Sequence, residues 1–332
     1  TRKGEAGAKQ YANELLRDKN CAGVRIVGNT INRDGSIEER ILLERTQSVD
    51  SDKPIQINLI SEASPHCLKV RDIFGLESRT LMNRVFRSYL EQVTLTPTEI
   101  LHNYREIQRI SDRDSLVQSA ISLIAKLQTA DTEQTLGERQ DELYALLESL
   151  EARALKVDSM TLPPLRKLFS RTLTEVAEID PQRAEYLVMV VLSRAMGEFT
   201  SWIEKLDMLC KLISIETKPA AIPLLDTAIA DILCANVIQE ILGWKRSLGR
   251  AIISMLDLAD GRLEVDKSDA KEMVVQLNQL FSNGALPFSR QIIIDRALRQ
   301  LKSTAPLYQA DPAREMEEYQ LVLARLLEPG CI

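Results

Sequence analysis

The sequence predicts a mainly α-helical protein: one or more antiparallel helical bundles preceded by a small α-β-β module containing one β-hairpin. Three observations carry that expectation. From about residue 67 onward, apolar residues recur at helical spacing with little interruption. Cap-and-proline start signals punctuate the same stretch. Aromatic residues make up only 5% of the 332-residue chain, while Leu, Ala, Ile and Glu are plentiful, a balance that favours helices over sheets.

Taken in order, residues 5–18 ("EAGAKQYANELLRD") read as a short helix with Tyr11, Leu15 and Leu16 on one side. The stretch "NTINRDGSIEER" (29–40) then offers a choice. Asn32, Asp34, Gly35 and Ile37 fall where a calcium-binding helix–loop–helix places ligand, ligand, turn glycine and apolar anchor. Setting Gly35 at the sixth position puts Thr30 first and Ile41 twelfth, where the ion needs a carboxylate and a bidentate Glu. The end carboxylates are absent, so no metal is expected.

The preferred reading is a hairpin turning at Asp34-Gly35, a dipeptide that tolerates the positive φ angles of a type I′ turn. It pairs Val24 with Arg45, Ile26 with Leu43, Gly28 with Ile41 and Asn32 with Ile37. One face then collects Val24, Ile26, Ile37, Ile41 and Leu43; the other sets Arg25 against Glu44 and Asn29 against Arg40. The competing reading makes Ser36–Arg45 a helix. Two strands alone are marginal in water. Residues 1–46 are therefore expected to form an αββ module whose open edge takes a further strand, and Val24, Ile26, Ile41 and Leu43 become candidate partner-binding residues. The chain starts at Thr1 rather than Met, and the added strand is expected either from upstream sequence or from a partner. Residues 47–66, polar and aperiodic around Pro54, read as a linker with a short extended piece at 55–60.

The body, 67–332, is expected to be all helical, with a candidate division near 157–181. In "LTPTEILHNY" (95–104), Thr96 can cap, Pro97 takes the first helical position and Glu99 can reach back to the cap amide, leaving Ile100, Tyr104 and Ile107 on a buried face. Residues 133–155 form the strongest amphipathic helix, with Leu136, Leu143, Leu147 and Leu150 in one stripe. Residues 180–213 read as one long helix, started by Asp180-Pro181 and apolar all round at Leu187–Leu192, hence central. Further helices are expected at 163–178, 221–242, 244–258, 266–281, 288–302 and 311–327. Pro163, Pro219, Pro287 and Pro312 stand near four starts, and Asp260-Gly261 and Asn283-Gly284 mark gaps. Helix starts are irregularly spaced with no recurring consensus, which favours a compact bundle over a regular repeat array.

The functional reading is mostly one of exclusion. A net charge of −6 argues against nucleic-acid binding, and the densest basic run, Arg166–Arg171, reads as a solvated helix face. Cys21, Cys67, Cys210, Cys234 and Cys331 are odd in number and form no C-x-x-C pair, so neither zinc nor a redox dithiol is encoded. Cys210 and Cys234 read as buried small hydrophobes in a reducing, cytoplasmic setting. The densest apolar run, Tyr186–Leu192, is far too short to span a membrane, and no signal peptide is recognisable.

His66 beside Cys67 makes no workable dyad, and His102 is expected partly exposed on its capped helix, without a ligand or base role. Asp226 and Asp231 are five apart and point to different faces, so they do not form a metal cluster. Asp141-Glu142 and Glu317-Glu318 read as solvated surface. No nucleophile elbow, zincin, phosphate-loop or dinucleotide motif occurs. No catalytic, cofactor or metal residue is expected, and an enzyme using helical carboxylates ranks third among the readings.

Trp202 and Trp244 each continue an apolar stripe, the latter with Leu248 and Ile252, and so read as core; the alternative is an anchor at a partner surface. Phe288, ahead of three isoleucines at 292–294, places its helix either deep in the core or on a binding surface. The expected function is therefore a cytoplasmic regulatory or adaptor protein acting through protein–protein contacts, with Trp244 and Phe288 as further candidate contacts and homo-oligomerisation compatible. The alternative is a helical sensor holding a small apolar ligand between helices.

Overall fold

The computed structural model describes residues 23–31, 37–46, 55–61, 64–113, 115–264, 271–309 and 314–328, with backbone alone for the first two stretches. The chain divides into two units, Thr1–Ile55 and Gln56–Ile332. In the first, the backbones of β1 (Gly23–Ile31) and β2 (Ile37–Thr46) run antiparallel, with Val24 opposite Arg45 and Ile26 opposite Leu43. The register shifts between Ile26 and Val27. Gly28 therefore lies opposite Arg40 and Ile31 opposite Ile37, where a two-residue turn would give Ile41 and Asn32 as the partners. The Asp34-Gly35 turn and the helix expected over 5–18 lie outside the described residues. So do the side chains of Val24, Ile26, Ile41 and Leu43, and the αββ module as a packed unit is not established by this backbone pairing.

The second unit is mainly helical. Its sixteen α-helices among the described residues begin with α1 (Val70–Ile73), α2 (Leu76–Val85), α3 (Arg87–Val93), α4 (Pro97–His102) and α5 (Tyr104–Ser111). There follow α6 (Leu116–Thr129), α7 (Leu136–Asp158) and α8 (Phe169–Ile179), then a 3-10 turn at Pro181–Arg183. The chain continues through α9 (Ala184–Met196), α10 (Trp202–Ile215), α11 (Ile222–Cys234), α12 (Val237–Leu242) and α13 (Leu248–Ala259). It ends with α14 (Lys271–Ser282), α15 (Pro287–Leu301) and α16 (Glu315–Leu326). None of the described helices is long and apolar enough to cross a membrane.

Local chemistry explains the starts. At α4 the Thr96 hydroxyl accepts from the Glu99 amide while the Glu99 carboxylate accepts from the Thr96 amide, the reciprocal capping box expected there. Thr135 and Glu138 repeat the device at α7. Asp180 does cap, but what it starts is the 3-10 turn, and α9 follows from it. The all-apolar stretch Tyr186–Leu192 is buried throughout, so α9 is central, packed on α4 and α8. Ile292, Ile293 and Ile294 are also all buried, because α15 is sandwiched between α11 and α13. One continuous core runs from Val157 to Val322. Further toward the N-terminus, Asn58 donates its amide to the Val85 carbonyl at 2.8 Å, and Ile57 and Ile60 pack on Leu81, Val85 and Ala120.

Four expected helices are corrected, one of them, 244–258, because it begins only at Leu248. Residues 180–213 are two helices, because Gly197 through Ser201 interrupt: glycine and threonine are poor helix residues, and Ser201 is extended at the start of α10. Residues 221–242 break at Ala235, which is extended; buried Arg296 donates to the Cys234 and Ala235 carbonyls at 2.9 and 2.8 Å, satisfying acceptors the break releases. The helix expected from 163 starts at Phe169 instead, since tandem Pro163-Pro164 hold the preceding residues extended.

Candidate functional site

Buried charges form the frame. Arg79 on α2 and Asp231 on α11 are both buried; Arg79 Nε donates to Asp231 Oδ1 at 3.1 Å and its Nη2 to Oδ2. The Thr98 amide and hydroxyl on α4 also donate to Oδ2, at 2.7 and 2.8 Å, and Asn83 donates to the Asp231 carbonyl. Alongside, Lys205 of α10 donates to Glu99 Oε1 at 2.6 Å, to Oε2 at 2.8 Å, and to the carbonyl of Thr94, a residue in left-handed conformation. Burial pushes the Asp231 and Glu99 carboxyls upward, opposed in each case by the adjacent cation and hydroxyl or amide donors. Asp226 serves α15 instead: its carboxylate accepts from the Phe288 amide at 2.7 Å, and from the Ser289 amide and hydroxyl at 3.1 and 2.6 Å. Asp226 and Asp231 thus serve different elements, as their spacing predicts. Their full enclosure was not legible from it.

Over this frame lies an open cleft of about 880 Å³. Arg71 of α1, Phe74 just past it, Arg79, His102, Arg153 of α7, Arg183 of the 3-10 turn and Tyr186 of α9 contribute the charged and aromatic lining. Leu173, Met189 and Leu224 supply apolar wall. Phe74, His102 and Tyr186 form an aromatic triad with centroids 5.1 to 5.8 Å apart. The Arg153 guanidinium sits 4.0 Å from the Tyr186 ring centre and 5.2 Å from that of Phe74.

His102 corrects the expectation of partial exposure: it is only 5% exposed, because α4 packs into the centre rather than on the surface. Its Nδ1 donates to the Thr98 carbonyl at 2.8 Å, which leaves Nε2 as the acceptor nitrogen of a neutral ring. Burial, reinforced by Arg79 and Arg153, pushes its pKa down to about 3.

A second cavity, of about 170 Å³, lies between α2, α4 to α7 and the segment before α1. Its walls include Leu81, Ile100, Ile110, Ile121, Leu147 and Leu150 and are almost wholly apolar. The stripe predicted along α7 thus faces this space, except Leu136, which is exposed at the helix start.

The predicted contact residues separate. Trp244 is 89% exposed, correcting the core reading: α12 ends at Gly243, whose φ of +71° takes the chain out of the helix, and α13 begins only after Ser247. Trp202 packs on the core. Phe288 is 36% exposed, its amide tied to Asp226. Glu318 is buried rather than solvated, accepting from the Ser247 hydroxyl at 3.0 Å; Glu317, Asp141 and Glu142 are exposed. In the basic run, Arg166 and Arg171 both pair with Glu175. Cys210 and Cys234 are buried with thiols pushed up to about 12. Among the described residues no group of three or more His, Cys, Asp or Glu could hold a metal ion. Cys21, Cys331 and the Asp34-Gly35 turn lie outside them.

No family model matches the chain, and no curated protein or solved structure shows significant similarity to it.

Proposed function

We propose that this protein is a regulatory or adaptor protein, working in the cytoplasm through protein–protein contacts of its helical body. The reading rests on Trp244. A large indole fully presented to solvent gains nothing for the fold, whereas Trp dominates the energetic centres of protein interfaces. Its loop is anchored on the α13 side. Ser247 caps α13 and binds Glu318, and the Gly249 amide donates to the Leu307 carbonyl. That anchoring limits how much loop backbone must be ordered when a partner covers the ring. Lys245 and Arg246 flank it with positive charge. On α16, Met316, Tyr319 and Leu323 are exposed at helical spacing and add apolar contact area. Phe288 is a secondary contact, and the αββ module would tether or recruit.

The test is an affinity capture at high salt comparing wild type with Trp244→Ala. Loss of one specific partner by the variant, with unchanged thermal stability, supports the reading; identical captured sets from both proteins would sink it. A second reading, a sensor for a small apolar ligand, is favoured by the cavity between α2 and α7. Apolar cavities of about 150 Å³ take up benzene-sized molecules. Saturable stabilisation by benzene or indole, abolished by a cavity-filling Ala120→Leu change, supports that reading; no saturation by either removes it.

A further inference from the structure

We propose that the cleft bounded by α1, α7, the 3-10 turn and α9 binds a small organic anion, one whose phosphate or carboxylate head meets Arg153 and Tyr186 while its apolar body lies along Leu173, Met189 and Leu224. The argument begins with what the two residues lack. Tyr186 is 95% buried, from its 5% exposure, yet its hydroxyl has no hydrogen-bond partner among the described residues. Arg153, stacked on the same ring, has an enclosed Nε with no hydrogen-bond partner among the described residues either, and none of their carboxylates pairs with it. A buried polar group without a partner costs about 1–3 kcal/mol. Both groups can donate, and both belong to residues that line the cleft, so an acceptor lodged there would supply what they lack.

The neighbours define its charge. His102 offers no cation, since its ring is neutral. Arg79 is already matched by Asp231, and Arg183 by Asp180 through a 2.7 Å contact. Arg71 lies 3.7 Å from Asp72 and is mostly exposed at the rim, with Glu185 the exposed carboxylate of the lining. Among the described residues, Arg153 is therefore the lining cation without a carboxylate partner. Other unpartnered buried atoms, such as the Tyr89 hydroxyl and the Ser193 hydroxyl, line neither cavity. At about 880 Å³ the cleft matches the size of small-molecule sites, and its mixture of apolar wall and a few convergent polar groups is their usual make-up. A planar guanidinium already oriented by an aromatic face presents its fork to an oxyanion with little loss of freedom.

The test is calorimetric titration of the full chain with phenyl phosphate, benzoate, inorganic phosphate and benzyl alcohol at constant ionic strength. Saturable binding of phenyl phosphate or benzoate, tighter than inorganic phosphate and absent for benzyl alcohol, is the expected result, and the stronger of the two identifies the head group. Arg153→Met should weaken it at least about tenfold, the equivalent of about 1.4 kcal/mol. Tyr186→Phe should weaken binding several-fold while leaving the unliganded protein as stable as wild type or more so, because it removes an unpartnered hydroxyl. Failure of both organic anions to saturate in the millimolar range overturns the proposal, whatever the variants do. Equal binding by wild type and Arg153→Met overturns it as well, leaving Arg153 as a cover for the Tyr186 ring. Neither outcome bears on Trp244.

Discussion

His102 ties the stability of the body to pH, and the size of the effect follows from its surroundings. A histidine free in solution titrates near 6.5. Within the fold, burial first and Arg79 and Arg153 second bring it to about 3, the Thr98 carbonyl opposing them. The folded pKa is the depressed one, so the stabilisation is complete above 6.5. It is lost as the pH falls from there toward 3, because protons then bind the unfolded chain preferentially. Each unit of that gap is worth about 1.4 kcal/mol. Between pH 7 and pH 5 the histidine alone should remove about 2 kcal/mol. Other groups titrate too, and the raised pKa values of Glu99, Asp226 and Asp231 act in the opposite sense. The informative quantity is therefore the difference between wild type and His102→Gln, whose amide can still donate to Thr98. Urea unfolding at both pH values should show wild type losing about 2 kcal/mol more than the variant. Parallel losses would refute the reasoning.

Three further outcomes are expected. Removing one member of the Arg79–Asp231 pair, as Arg79→Met or Asp231→Leu, should cost about 3–5 kcal/mol, and the double variant less than the sum, since it leaves no lone buried charge; a double-mutant cycle by urea unfolding measures this. Gly261→Ala should lower the melting temperature, at a cost of about 1–3 kcal/mol, because φ is +71° and the new Cβ would lie 2.4 Å from the Asn278 carbonyl oxygen and 2.8 Å from the Ser282 nitrogen. In native protein at neutral pH, a maleimide should modify Cys67 well before Cys210 and Cys234, whose thiols are enclosed and pushed up to about 12; peptide mass spectrometry reads the order.

Features written within a few consecutive residues were legible in the sequence. The Thr96–Glu99 box and the buried run at Tyr186–Leu192 are local in this sense, and both occur as the pattern implies. The interruption after Met196 carries no proline and is masked by apolar residues on either side, so periodicity alone runs straight through it. Trp244 was misread for the same reason: its spacing to Leu248 and Ile252 is helical, but Gly243 ends one helix and Ser247 starts the next. The cleft was out of reach altogether. Arg71, His102, Arg153, Arg183 and Tyr186 come from five separate elements, and each alone looks like surface charge or core filling. The weak signal was the scarcity of aromatic residues, which makes three rings in one cluster unusual.

The long-range ion pairs also set an order of events during synthesis. Arg79 waits for Asp231, 152 positions later, and Glu99 for Lys205, 106 positions later. At roughly 5–20 residues per second, the first of those delays lasts roughly 8–30 s on the ribosome. Through that interval the nascent segment around α2 and α4 holds ionised groups that it cannot enclose, because closing around them without a counter-charge is strongly unfavourable. The emerging chain should remain open and protease-sensitive there until the α10 and α11 residues arrive.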